Sequence, residues 1–267
     1  MLISNRLVIA TAFGLVLGLV PTLPFDGTSS TEPMRPSPNE AFRSGIQNLK
    51  GGDKSLAAGS LQYAAEKGNE LALWQLAHMY AKGNGVERDD YRAFEYFRTF
   101  ADRNSNVNPA SSRARYVADA FVMLGNYYMS GIPGSTVTAS PIRAQRVLTH
   151  AAQYFGDPEA QYQLARLLFD NKGSGRDPRR AVKWLNHAAN KRHFEAQALL
   201  GRILFDGELG RSERASGLMW LIVAYDGPGA NVSWIAELHE SAFKQASEKE
   251  RADALVLLER WVEGRRE

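Results

Sequence analysis

Pro158-Glu-Ala-Gln-Tyr-Gln-Leu-Ala-Arg-Leu-Leu-Phe-Asp170 and Phe194-Glu-Ala-Gln-Ala-Leu-Leu-Gly-Arg-Ile-Leu-Phe-Asp206 are two copies of one pattern, and the step from Leu164 to Leu200 sets their period at 36 residues. Self-similarity at such a period marks stacked supersecondary units, each unable to bury its apolar face alone. Working outward, earlier copies stand at Ala72-Leu-Trp-Gln-Leu-Ala-His-Met-Tyr80 and Ala120-Phe-Val-Met-Leu-Gly-Asn-Tyr-Tyr128. In each, Ala is followed by Leu at i+4, a small residue at i+5 and a bulky one at i+8, which is one stripe of an α-helix. The small residue (Ala77, Gly125, Ala165, Gly201) leaves room for a second helix to approach closely.

That second helix reads as Tyr91-Arg-Ala-Phe-Glu-Tyr-Phe97, Ile142-Arg-Ala-Gln-Arg-Val-Leu148, Arg180-Ala-Val-Lys-Trp-Leu185 and Arg214-Ala-Ser-Gly-Leu-Met-Trp-Leu221. From the Leu of the first helix to the Ala of the second is 17, 20, 17 and 15 residues, the length of helix, short loop, helix. Gly83-Asn-Gly85 and Gly173-Ser-Gly175 supply residues suited to left-handed C-terminal caps. Ser140-Pro141, Asp157-Pro158 and Asp177-Pro178 pair an N-cap oxygen with proline at the first helical position, and Ser37-Pro-Asn-Glu40 has the spacing of a capping box.

Leu61-Gln-Tyr-Ala-Ala-Glu-Lys-Gly68 matches the second-helix ends at 148–156 and 185–190, so a helix pair is expected over 39–67. After Asp226-Gly-Pro-Gly229 the pattern stops, and two amphipathic helices near 233–246 and 248–263 are expected to cap the open end. The fold class is therefore all-α: a solenoid of helix-turn-helix repeats over 39–230, with repeats near 39–67, 70–103, 113–155, 158–191 and 194–225, closed by capping helices over 231–267.

The segment before the array reads as an address. Arg6 is followed by an uncharged run from Leu7 to Val20. As a helix this run would be about 21 Å long, short of the roughly 30 Å hydrocarbon core, and Pro21 and Pro24 then break it. A secretory signal peptide over 1–29 is expected, with an uncleaved tether as the alternative, because no Ala-x-Ala site follows. Residues 30–38 read as a flexible linker. The chain has no cysteine among its 267 residues, which excludes disulfides, thiolate metal sites and cysteine nucleophiles. Its net charge of +3 is too thin for a nucleic-acid binder. With 44% apolar residues it holds enough material for a substantial core.

Ala72 to Tyr80, then Gly83-Asn-Gly-Val-Glu-Arg-Asp89, then Ala181-Val-Lys-Trp184 with Ala188-Ala189 resembles the Sel1-like, tetratricopeptide-related repeat. The second copy departs from that pattern: its loop, Gly131-Ile-Pro-Gly-Ser-Thr-Val-Thr-Ala-Ser140, is longer and lacks Gly-x-Gly-Val. Length, exported start, cysteine-free array and capping helices together resemble the periplasmic exopolysaccharide-production negative regulators of rhizobia and their relatives, the ExoR type. The resemblance implies a periplasmic protein that binds the periplasmic domain of a membrane sensor histidine kinase and holds it off. It also implies removal by a periplasmic protease, with acid as a cue, and exopolysaccharide synthesis, motility and host invasion downstream.

No catalytic constellation stands out. His-Glu-x-x-His, a phosphate-binding Gly-rich loop, Gly-x-Ser-x-Gly and calcium-loop patterns are missing, so no cofactor, metal or small-molecule substrate is expected. His187 and His193 have a weak metal spacing without a third ligand. His150 and His187 are repeat-equivalent, which suits a duplicated half-exposed position or, alternatively, an acid sensor. The aromatic series (Trp74, Tyr80, Tyr127, Tyr128, Phe169, Trp184, Phe205, Trp220) reads as core and not as a sugar platform. Asp89-Asp90 reads as a helix start and not as a catalytic pair.

In stacked helix pairs the first helices line the concave face. One residue before and two after each stripe Leu lie Gln75 and His78, Met123 and Asn126, Gln163 and Arg166, Leu199 and Arg202. This mixed apolar and Arg surface suits a protein partner. The competing reading is a generic exported scaffold for envelope or secretion complexes. A carbohydrate-active enzyme lacks a defensible acid pair.

Overall fold

In a computed structural model of the chain, residues 35–170, 175–210 and 212–265 are described. The signal peptide expected over 1–29, linker residues 30–34 and the loop residues Gly173 and Ser174 lie outside them. The chain divides into two units, 1–35 and 36–267, and every helix described below belongs to the second. The described residues form twelve α-helices and no β-strand. The helices are α1 (Pro38–Gly51), α2 (Lys54–Glu66), α3 (Glu70–Lys82), α4 (Asp90–Asn104), α5 (Ala114–Ser130), α6 (Pro141–Gln153), α7 (Pro158–Phe169), α8 (Pro178–Asn190), α9 (Phe194–Asp206), α10 (Arg214–Tyr225), α11 (Ser233–Gln245) and α12 (Glu248–Glu263). A 3₁₀ turn at Pro228–Asn231 separates α10 from α11.

The helices begin and end where their cap chemistry dictates. The Ser37 hydroxyl accepts from the Glu40 N–H at 3.3 Å while the Glu40 carboxylate accepts from the Ser37 N–H at 2.8 Å, a complete capping box. Asp157 and Asp177 accept from the N–H three residues on at 2.8 and 3.0 Å. Asp89 does the same for Arg92 at 2.8 Å, so the Asp89-Asp90 pair starts α4.

From α1 to α10 each helix packs against its neighbours in sequence, the defining arrangement of a solenoid, and α11 and α12 both pack on α10. The stripe leucines Leu76, Leu124, Leu164 and Leu200 are at most 3% exposed, and the stripe alanines Ala72, Ala120, Ala160 and Ala196 are fully buried. Burying one such leucine contributes about 1.5–3 kcal/mol. The small residue beside it sets the helix separation. A Cβ on Gly125 would sit 2.8 Å from a Leu148 methyl carbon of α6, and one on Gly201 would sit 2.8 Å from the Gly217 carbonyl oxygen of α10. Gly217 returns the approach, since its Cβ would lie 2.5 Å from the Phe205 nitrogen.

Two buried glutamines join consecutive repeats. Gln161 Nε2 donates to the Ala152 carbonyl at 3.2 Å, and the repeat-equivalent Gln197 donates to Ala189 at 3.0 Å. Each satisfies a carbonyl at a helix end that has no intrahelical partner. The longer second loop does the work of the missing Gly-x-Gly-Val differently: Ile132 and Val137 are both buried and close on each other through Ile132 N–H to Val137 carbonyl at 2.8 Å. At the C-terminal end Tyr225 stacks on His239 of α11 at 4.5 Å, and Trp261 of α12 packs edge-on against Trp220 of α10 at 5.5 Å.

Candidate functional site

The first helices α3, α5, α7 and α9 present a row of side chains organised by two repeat-equivalent carboxylates, Asp119 and Glu159, each five residues before the stripe leucine. Asp119 of α5 is reached from α3. Trp74 Nε1 donates to its Oδ2 at 2.6 Å, and His78 Nε2 lies 2.7 Å from the same oxygen. The His78 ring is wedged edge-on between Trp74 and Phe97, at 4.6 and 4.9 Å, and its Nδ1 is buried without a hydrogen-bond partner. Glu159 of α7 is reached from the other direction. His193, the N-cap of α9, accepts from the Ala196 N–H through Nδ1 at 3.2 Å. That acceptor role fixes the proton of the neutral ring on Nε2, 2.8 Å from the Glu159 carboxylate. Tyr162, equivalent to Trp74, packs on His193 at 4.9 Å. A histidine, a carboxylate and an aromatic ring thus bridge two pairs of consecutive repeats.

Between those bridges, α5 and α7 enclose a cleft of about 180 Å³. It collects three of the sequence-selected residues, Asn126, Gln163 and Arg166, beside Met129 and Leu167. Gln163 Nε2 donates to Glu159 Oε1 at 2.7 Å. Arg166 is exposed, with its guanidinium 5.7 Å from the centre of the Tyr162 ring. The other five are spread along the row. Gln75, Met123 and Leu199 are half-buried, and Met123 and Leu199 pack on the core. His78 is committed to Asp119. Arg202 binds Glu208 at 2.7 Å and lies 5.6 Å over the Phe169 ring, which Arg176 also covers at 5.3 Å.

Burial pushes the Glu159 carboxyl up, but the hydrogen bonds from His193 and Gln163 outweigh it and hold the group below its ordinary value. The Asp157 carboxyl goes the other way: burial raises it, against the bond from the Ala160 N–H. Glu159 bridges to His193, and Asp157 caps α7. Among the described residues no group of three or more His, Asp or Glu is arranged to hold a metal ion. His193 is a cap and a bridge. His150 points to the Ser105 carbonyl at 3.1 Å and stacks on Tyr154.

Sequence reasoning missed Asp119 and Glu159. The signal was available: five residues before the stripe leucine, three of the four copies carry Asp or Glu (Asp119, Glu159, Glu195).

Comparison with known proteins agrees with this architecture. The Sel1 repeat family matches at residues 71–105, 158–193 and 194–227. An exopolysaccharide production negative regulator of Rhizobium leguminosarum bv. viciae is 37% identical over 221 residues, 82% of this chain and 80% of that protein. The regulator of the same description from Rhizobium meliloti (strain 1021) is 34% identical over 220 residues, again 82% and 80%. Among solved structures, a Sel1 repeat protein from Oxalobacter formigenes superimposes with a TM-score of 0.65 at 22% identity, covering 85% of this chain and 86% of that one, a likeness of fold.

Proposed function

The chain belongs to the family of exopolysaccharide production negative regulators built from Sel1 repeats, and from that premise we propose that it is a periplasmic repressor acting by occupancy. It binds the periplasmic domain of a membrane sensor histidine kinase through its first-helix face, holds that kinase off, and is removed by a periplasmic protease when signalling is required. Exopolysaccharide synthesis, motility and host invasion lie downstream.

The observation that carries this reading is the 37% identity to a negative regulator over 82% of the chain. The site supports it. A row of aromatic, amide and arginine side chains on rigid helices, with a cleft at Asn126, Gln163 and Arg166, has the composition of a protein-recognition surface. The uncharged run after Arg6 and the lack of cysteine suit export.

Deletion of the gene tests it. Exopolysaccharide output is expected to rise and swimming motility to fall, both restored by a plasmid-borne copy, and the kinase is expected to co-purify with the tagged protein from detergent-solubilised membranes. Unchanged exopolysaccharide in the deletion strain would contradict the reading. Secure co-purification with a secretion assembly in place of a kinase would favour the scaffold alternative.

A further inference from the structure

A second cleft, of about 290 Å³, opens where the last repeat meets the capping helix, far along the chain from the Asn126 cleft. Ile222 of α10 with Leu258 and Trp261 of α12 supply apolar lining, Arg192 and Arg265 add two guanidiniums, and Asp226 is the single carboxylate among the lining residues. Trp261 is held in place, its Nε1 donating to Asn190 at 3.2 Å and its ring lying under the Arg265 guanidinium at 4.6 Å. Neither arginine pairs with a carboxylate among the described residues.

Arg192 is also where the repeat breaks its own rule. In three of the four first helices, α3, α7 and α9, the residue before the N-cap adopts a left-handed backbone: Gly68 at φ 91° before Asn69, Gly156 at φ 65° before Asp157, and Arg192 at φ 67° before His193. The local hydrogen bonds of the first and third cases coincide. Gly68 N–H bonds Ala65 and Asn69 N–H bonds Ala64, just as Arg192 N–H bonds Ala189 and His193 N–H bonds Ala188. Glycine adopts this conformation freely, and a side chain with a Cβ does not. Arg192 is the one non-glycine with positive φ among the described residues. A strained residue kept where its siblings use glycine points to a use for its side chain, and that side chain lines the cleft.

We infer that this cleft is a second recognition pocket, built for a segment of a protein partner in which an acidic residue stands beside a leucine or phenylalanine. The aliphatic or aromatic side chain would lie against Ile222, Leu258 and Trp261, and the carboxylate would meet Arg192 and Arg265. A cleft of this size admits one or two side chains, and Trp and Arg are the residue types that anchor protein contacts. The guanidinium fork favours a carboxylate over its neutral amide. The assignment rests on reading the chain as a protein-binding regulator but not on the identity of its partner, so peptide binding and kinase capture stand or fall separately.

The test uses the purified full chain, fluorescein-labelled hexapeptides carrying Asp or Glu next to Leu or Phe, and a matched set with Asn or Gln in their place. The acidic set is expected to bind at least about tenfold more tightly than the amide set. Arg192→Gly is expected to lose that preference without any fall in Tm, because it relieves the strained backbone while removing the charge. Arg265→Gln is expected to weaken the acidic set alone, and Trp261→Phe to weaken both sets. Equal binding of the two sets overturns the proposal, as does an unaltered preference in Arg192→Gly or a lowered Tm in that variant. Binding of neither peptide set overturns it too.

Discussion

Trp74, His78 and Asp119 combine ring packing with hydrogen bonding between α3 and α5. Asp119 takes two hydrogen bonds on a single oxygen, from α3, and so ties the second full repeat to the first. Replacing Asp119 with Ala leaves the Trp74 indole N–H and the His78 ring without their acceptor. The expected loss is about 1–3 kcal/mol, measured by urea denaturation. A wild-type midpoint would show that the bridge contributes nothing. Glu159 carries a pH dependence whose sign follows from its lowered carboxyl. It stabilises the fold above the unfolded carboxylate range and loses that contribution as pH falls through its depressed native value. Asp157, raised by burial, has the opposite sign. Glu159→Gln is therefore expected to flatten the acid limb of the stability curve below about pH 4.5, and Asp157→Asn to steepen it.

At the scale of the helix, close approach and cap attachment decide stability. Gly217 of α10 lies against the backbone of α9, where an added Cβ would meet the Phe205 nitrogen at 2.5 Å. Gly217→Ala is expected to destabilise by about 1–3 kcal/mol through overpacking, visible as a lowered Tm. A neutral result would mean the two helices can move apart at little cost. The Tyr225–His239 stack joins α11 to α10, beside the buried Ile235 and Ala242. Burial lowers the His239 ring below its ordinary value, against the opposing charge of Glu240. The neutral ring is thus favoured in the native state, and its contribution, present above the unfolded histidine value, is lost as pH falls through the native one. Amide exchange in α11, corrected for intrinsic rates, should quicken between about pH 7 and pH 5, and His239→Phe should remove that change. A pH-independent rate in the parent chain would contradict it.

The helices themselves are legible in the sequence because the Ala, Leu, small, bulky stripe repeats and because Ser-Pro and Asp-Pro pairs mark four starts, those of α1, α6, α7 and α8. The bridges are not. Asp119 and Glu159 sit on helices already explained by their apolar stripe, and their partners come from opposite neighbours, His78 before one and His193 after the other. A histidine at an N-cap is an unusual signal as well, and its spacing to His187 suggests metal chemistry in place of the bond it makes to Glu159. Three of the eight surface residues selected by spacing meet in one cleft. The other five fall along the row because the four copies are offset repeat by repeat and differ in what their neighbours offer them.

The helices of residues 36–267 form a stack with one continuous apolar core. Family membership gives it a regulator's role, and the function proposed for it is to act by being present or removed. The measurement closest to that claim is direct titration of the purified protein against the isolated periplasmic domain of the sensor kinase at neutral pH, alongside the Arg166→Ala variant. One-to-one saturable binding at micromolar affinity or tighter, weakened about tenfold by the substitution, is the expected result. No binding at about 100 µM, or equal binding by the variant, would contradict a repressor that acts by occupancy through its first-helix face.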